Sequence, residues 1–297
     1  MTALSNFDTY LKTKFKVSET PLIIENAISY IANGTQPDET SNIKYIAIDN
    51  WIKQILGFWA IELIEEDLGN AKFHGKLVPK RNGFNLFLNS SLFPTQRRFA
   101  LAHELGHLVS FDTTFEWPKY VVKHSWNEEL FCNQVARGIL LPKIIFDTLN
   151  INLQNVDSIN YTLFAQIWKE YLVSPLQIIR RLYDLYINKN VSTIIWKHSK
   201  DDNCLRIFDY CKNNNYFIPL RKRKILNDLI QQEGTNNLPQ IAFNSNGFIK
   251  DYDLVSFGSF YKKRMMTYAF PIHTIMDTYI VQTIFDSDEN GVFDDSK

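Results

Sequence analysis

The stretch from Gln96 to Asp112, QRRFALAHELGHLVSFD, decides how the rest of the chain is read. It contains His103-Glu104-Leu105-Gly106-His107, a match to H-E-x-x-H. An α-helix turns once in about 3.6 residues, so positions i and i+4 lie one above the other and both imidazoles can close on one metal ion. Glu104 then stands beside the cation without binding it, where a carboxylate can take a proton from an activated water. Zinc is the expected metal, one per chain. Phe99, Leu101, Ala102, Leu105, Leu108 and Val109 supply an apolar stripe at helical spacing, with Thr95 as the expected N-cap. The alternative for the two histidines is a pair of core side chains, but an unpaired glutamate between them would be costly to bury.

A catalytic zinc takes three protein ligands and leaves a further position open. The third is expected from Asn127 to Pro142, NEELFCNQVARGILLP. This reads as a helix with Leu130, Gln134, Ala136, Ile139, Leu140 and Leu141 toward a core, and Pro142 stops it. Glu129, Cys132 and Asn133 share a face by their i, i+3, i+4 spacing, and Glu129 is the expected ligand. Cys132 reads as a small buried thiol. Arg137 is placed to pair with a carboxylate.

HELGH preceded by RRFALA and followed by E-x-x-C-N-x-x-A-x-x-x-L-L-P resembles the ImmA/IrrE family of zinc metallopeptidases. The resemblance covers about Ile48 to Ile187, including the later segment Val173 to Leu182. It implies a zincin-like α+β domain in which Glu129 completes the site, and a helix-turn-helix repressor of stress or mobile-element genes as substrate. Two positions depart from the family. Phe111 stands where a histidine often follows HELGH, and Gly138 replaces a helix-favouring residue.

With 297 residues, 45% apolar and 14% aromatic, the chain can fill two cores. Lys+Arg and Asp+Glu are 32 each, so no whole-chain field draws it to nucleic acid or to a membrane. Cys132, Cys204 and Cys211 are too few for a disulfide framework. No basic leader precedes an apolar run, and no apolar stretch nears the roughly 20 residues of a membrane helix. The expected location is the cytoplasm.

Four regions are expected: a helical arm at 1–40, the zinc peptidase core at 41–150, a helical, helix-turn-helix-like segment at 151–190, and an α+β domain at 191–297. In the core, a helix from Ile48 to Leu56 stopped by Gly57 precedes strands at Phe58–Glu65, Phe73–Pro79 and Phe84–Leu88, the last two joined at Asn82-Gly83. An edge strand beside the HELGH helix would hold an extended substrate by main-chain pairing. His74 on one strand, and Tyr120 and His124 in the aromatic stretch between the site helices, are candidate oxyanion or substrate contacts.

Helices are expected at Lys143–Leu149, at Asp157–Tyr171 and at Leu176–Ile187, with Arg180 and Arg181 of the last facing outward. The Asp157–Tyr171 helix is expected to be capped by Asp157 or Ser158. A recognition helix carries polar base readers at its N-terminal end, and Pro-Leu-Gln is not such an end. Packing is preferred over direct DNA reading.

Beyond Asn190, β-like runs at 192–196, 205–208, 241–244, 252–257, 265–271 and 279–285, with a helical run at 222–232, resemble the GAF-like sensor that follows the peptidase in some family members. A small-molecule ligand there is the implied partner. Basic runs at 220–224 and 261–264 read as solvated faces. Asp286 to Gly291 imitates the start of a calcium loop, but Lys297 occupies the twelfth position, where a glutamate is needed. The expected function is a zinc endopeptidase. The alternative is a DNA-binding or ligand-sensing regulator with a structural zinc.

Overall fold

The computed structural model describes residues 7–38, 40–42, 44–69, 74–122, 125–149, 161–185, 191–199, 201, 203–212, 238–245, 249–257, 261–273 and 278–285. Contacts divide the chain into two units, Met1–Asn150 with Gln166–Leu185, and Ile151–Ala165 with Tyr186–Lys297. Among the described residues no helix is long and apolar enough to cross a membrane.

The first unit opens with α1 (Phe7–Phe15) and α2 (Thr20–Ile31). α2 ends where Asn33 and Gly34 take φ of 50° and 71°, the left-handed turn that these residue types enter most easily. α3 (Lys44–Phe58) is longer than expected. Gly57 stays inside its last turn, and the reversal falls on Ala60 at φ 49°. β1 is therefore Ile61–Glu66 and starts later than Phe58.

β2 (Gly75–Lys80) and β3 (Gly83–Asn89) pair as a hairpin about Arg81-Asn82, with Asn82 at φ 58°. β1 runs parallel on the other side of β3, giving the order β1-β3-β2. Phe84, Leu86 and Leu88 alternate along β3 and are buried, and α4 packs on β2 and β3.

α4 (Pro94–Gly106) is the HELGH helix. Its N-cap is Phe93 and not the expected Thr95, because Pro94 suits the first helical position, where an N–H would be unused. The Phe93 backbone N–H donates to Gln96 Oε1 at 3.2 Å. α4 passes into a 3-10 turn, His107–Ser110, and then β4 (Phe111–Asp112) pairs with β5 (Lys119–Tyr120). Lys14 and the Tyr10 hydroxyl of α1 both donate to the Val109 carbonyl, at 2.8 and 2.7 Å, and so cap the end of that turn.

α5 (Trp126–Leu140) starts at Ser125, whose Oγ accepts the Glu128 N–H at 3.3 Å. Ala136, Ile139, Leu140 and Leu141 are buried as expected, and the inward face departs from the expected one at Leu130 and Gln134. Phe131, Cys132, Val135, Ala136 and Ile139 are buried, whereas Leu130 is exposed and Gln134 donates to Asp184. The helix is rotated so that Cys132 meets α4. A Cβ on Gly106 would lie 2.9 Å from Cys132 Cα. Cys132 is a fully buried thiol, as expected.

α6 (Lys143–Thr148), α7 (Tyr161–Tyr171) and α8 (Pro175–Leu185) come next; the expected caps Asp157 and Ser158 lie outside the described residues. Arg181, expected outward, is fully buried. Its Nε donates to the Leu141 carbonyl at 2.9 Å and its Nη2 to Glu25 at 2.7 Å, which gives the charge a reason to leave water. The carboxylate partner of Arg137 is Asp184, bonded at 2.5 and 3.0 Å. At Gly138 a Cβ would meet Ile28 Cδ1 at 2.1 Å, so a larger residue there would push that isoleucine side chain aside.

The second unit contains a five-stranded antiparallel sheet of β6 (Val191–Ser199), β7 (Cys204–Lys212), β8 (Ile249–Phe257), β9 (Tyr261–His273) and β10 (Thr278–Phe285), in the order β7-β6-β10-β9-β8. Residues 241–244, expected as strand, lie in the helix α9 (Leu238–Ser245), which packs on β9 and β10. A short apolar run does not separate a buried strand from one face of a helix. The expected helix at 222–232 and the acidic 286–297 segment lie outside the described residues.

Gly106 is helical, at φ −58° and ψ −35°, so its role is space and not backbone freedom. Alanine gains about 1 kcal/mol in helix propensity, but overpacking against the α5 backbone costs about 1–3 kcal/mol. Gly106→Ala is therefore expected to lower the urea midpoint, with a net loss of up to about 2 kcal/mol. An unchanged midpoint would show that the helices can separate freely.

Candidate metal centre

His103 and His107 lie one turn apart, with ring centroids 5.2 Å apart. Glu129 arrives from α5. His103 Nε2 is 3.2 Å from Glu129 Oε2, and His107 Nε2 is 3.6 Å from Glu129 Oε1. One donor atom from each residue falls within 4.8 Å of the others, and among the described residues this is the one such convergence of three metal-type donors. Tetrahedral zinc with bonds of about 2.0–2.2 Å needs ligand atoms about 3.4 Å apart. The set fits a zinc ion on donor type and on spacing. Two neutral imidazoles and one carboxylate make the three-ligand complement of a catalytic ion, short of the four that close a structural one.

The outer nitrogens are held as well. His103 Nδ1 lies 3.1 Å from Asn133 Oδ1, and His107 Nδ1 lies 3.0 Å from Glu128 Oε1. An Nδ1–H donated to either oxygen leaves Nε2 as the free lone pair. Burial, with the nearby His107, lowers the His103 pKa and favours the neutral, metal-binding form. Burial acts in the same sense on His107, but the Glu128 bond and the surrounding carboxylates outweigh it and raise its pKa. Glu128 is fully buried. Burial opposes its charge, yet bonds from His107 and Tyr120 draw its pKa down to about 2.

Glu104 is not one of the three converging donors. It is buried against β2, where the Leu77 backbone N–H bonds its carboxylate, and burial pushes its pKa up to about 7. Gly75 makes the room, since a Cβ there would lie 3.0 Å from Glu104 Cγ and 3.2 Å from Oε1. A carboxyl group poised near neutrality is suited to accept and return a proton.

Of the other expected contacts, Tyr120 and His74 fall outside the cluster of three donors. The Tyr120 hydroxyl donates to Glu128 and sits 3.4 Å from His107 Nδ1, on the outer side of that ring. His74 is exposed and precedes β2, and its carbonyl accepts the Asn89 N–H at 3.0 Å. His124 lies outside the described residues. Sequence reasoning did not assign roles to Glu128, Asn133 or Gly75. Asn133 was visible as a polar residue one turn beyond Glu129, on the same face. Nothing in the local pattern marks Gly75. Glu129→Ala leaves two histidines and is expected to remove stoichiometric zinc at neutral pH, read by metal analysis after dialysis; retained zinc would mean that another residue supplies the third bond.

Residues 60–183 match the Peptidase_M78 model, described as the IrrE N-terminal-like domain. No curated protein matches the chain. Among solved structures, a Mycobacterium tuberculosis transcriptional regulator is similar at 12% identity and a TM-score of 0.49, over 95% of this chain and 93% of that one. The matched segment starts just before β1 and ends within α8, so it takes in the sheet, α4 and α5. The domain formed by residues 60–183 belongs to the ImmA/IrrE family of peptidases.

Proposed function

We propose that the protein is a zinc-dependent endopeptidase in which His103, His107 and Glu129 hold the metal and Glu104 is the general base. The observation that carries this reading is the placement of Glu104: buried, fixed by the Leu77 N–H, next to the three-donor cluster but outside it. When bound, the zinc supplies Lewis acidity, stabilising negative charge on a carbonyl oxygen and making a nearby water more acidic. Glu104 takes one proton from the attacking water as its oxygen bonds to the carbonyl carbon. It then delivers that proton to the amide nitrogen as the C–N bond breaks, leaving a carboxylic acid and an amine. β2, at the edge of its sheet, supplies main-chain groups that pair with an extended substrate.

A helix-turn-helix repressor is the substrate class that the family resemblance supports. The GAF-like reading of residues 191–297 is supported by the antiparallel sheet with α9 against it, and in this proposal that part receives the controlling signal. Residues 1–190 expressed alone are expected to stay soluble and zinc-loaded. An insoluble or zinc-free fragment would show that the catalytic part depends on residues 191–297 for its folding.

Glu104→Gln removes the base and keeps every metal ligand. It is expected to retain zinc at one equivalent and the wild-type unfolding midpoint while cleavage of the co-expressed repressor falls by about 100-fold or more. Undiminished cleavage would remove Glu104 from the mechanism, and loss of zinc would make it a ligand.

A further inference from the structure

We propose that Tyr120 is a positioning residue of the metal centre, acting on His107 through the buried carboxylate of Glu128. The inference rests on His103, His107 and Glu129 being the metal ligands.

Glu128 has no exposed surface, so its charge depends on donors supplied by the protein. Two converge on one oxygen: the Tyr120 hydroxyl donates to Oε1, and His107 Nδ1 lies 3.0 Å from the same atom. The carboxylate fixes which imidazole nitrogen carries the proton and turns Nε2 toward Glu129. Tyr120 in turn keeps the carboxylate in place. Its ring meets Phe111 edge-on at 4.5 Å, and Phe111 meets Phe84 of β3 at 5.1 Å. The Phe111–Tyr120 pairing of β4 with β5 fixes where the hydroxyl falls. On the main chain, the Ser125 cap holds the Glu128 N–H. The role expected from sequence, an oxyanion donor, needs the hydroxyl on the Nε2 side, whereas it lies 3.4 Å from Nδ1.

Tyr120 is 41% exposed. Tyr120→Phe therefore removes one hydroxyl without hollowing a core. The full-length wild type, Tyr120→Phe, Glu128→Gln and the double variant are compared by zinc competition with a chromogenic chelator, by the visible spectrum of the Co2+-substituted protein, and by urea unfolding of the metal-free forms. Outer-shell partners of ligating histidines are worth about 10- to 100-fold in metal affinity. Tyr120→Phe is expected to weaken zinc about 10-fold and Glu128→Gln up to about 100-fold. Both should shift the Co2+ bands, and the double variant should bind no worse than Glu128→Gln alone, because the hydroxyl acts only through that carboxylate. The metal-free Tyr120→Phe protein loses one donor to a buried carboxylate and should unfold at a somewhat lower urea midpoint while staying folded; the shifted Co2+ bands are the readout that a merely structural role would not move.

Unchanged zinc affinity and Co2+ spectrum in Tyr120→Phe would overturn the proposal, and slowed cleavage with them would return Tyr120 to the substrate side. Losses that add in the double variant would overturn it too. If Glu128→Gln does not fold, Tyr120→Phe decides alone. A wild type that binds no zinc in a His103-dependent way would instead sink the metal reading beneath it, a result distinct from an indifferent Tyr120.

Discussion

The close approach of α4 and α5 at Gly106 and Cys132 sets the rest of the site. With no side chain on Gly106, Cys132 sits fully buried against the HELGH helix. Glu128 and Glu129 lie one turn earlier on α5, opposite His107 and His103. Successive residues on a helix diverge by about 100°, so the two glutamates reach different sides of the same imidazole. Glu129 is 3.6 Å from His107 Nε2, while Glu128 is 3.0 Å from Nδ1. One ring is bracketed by consecutive carboxylates, and the helix geometry that separates them sets one among the three metal-type donors and the other behind the ring. A wider helix spacing would lose both.

α5 is braced from behind by polar groups. Arg137 and Asp184 pair in the interior, and Arg181 joins the end of α5 to α2 through Leu141 and Glu25. Replacing such buried pairs with apolar groups is often neutral or stabilising, so they are weak evidence of stability, whereas removing one partner costs about 3–5 kcal/mol. Their geometry does restrict how α5 can slide or turn against α2 and α8. Gly138 lets α2 approach over that network. The departure from family pattern at Gly138 thus belongs to packing and not to chemistry, whereas Phe111, the other departure, packs between Phe84 and Tyr120.

The metal-type residues were legible because their spacing is a property of one helix. His103 and His107 follow from i, i+4, and Glu129 from the face it shares with Asn133. What failed was the choice between faces. Leu130 and Phe131 are both apolar and about 100° apart, and neighbours remote in sequence, Phe7 of α1 against Phe131 and Gly106 of α4 against Cys132, select Phe131 as the inward one. Arg181 was read outward because charge predicts exposure, and its partners, Glu25 and Leu141, are remote in sequence or on the main chain. The mixed α+β character was readable from alternation and from Asn82-Gly83. The order β1-β3-β2, with its one parallel pair, was not, since local pattern gives strands but not their neighbours.

Glu104 and Glu128 share a residue type and a buried setting, yet their environments separate them. Glu104 has the Leu77 amide and the field of His107 against its burial, and burial prevails, leaving the group at about 7. Glu128 has hydrogen bonds from His107 and Tyr120, and these prevail over burial, leaving it at about 2. A group held near neutrality can gain and lose a proton during a reaction, and a group held far below it stays charged throughout. The number and direction of donors, not the side chain, therefore divides the labour. Glu104 has one backbone donor and the cluster in front of it, which leaves its proton affinity available for chemistry. Glu128 accepts from a tyrosine and a histidine at one oxygen, which leaves it as a fixed negative charge behind the His107 ring.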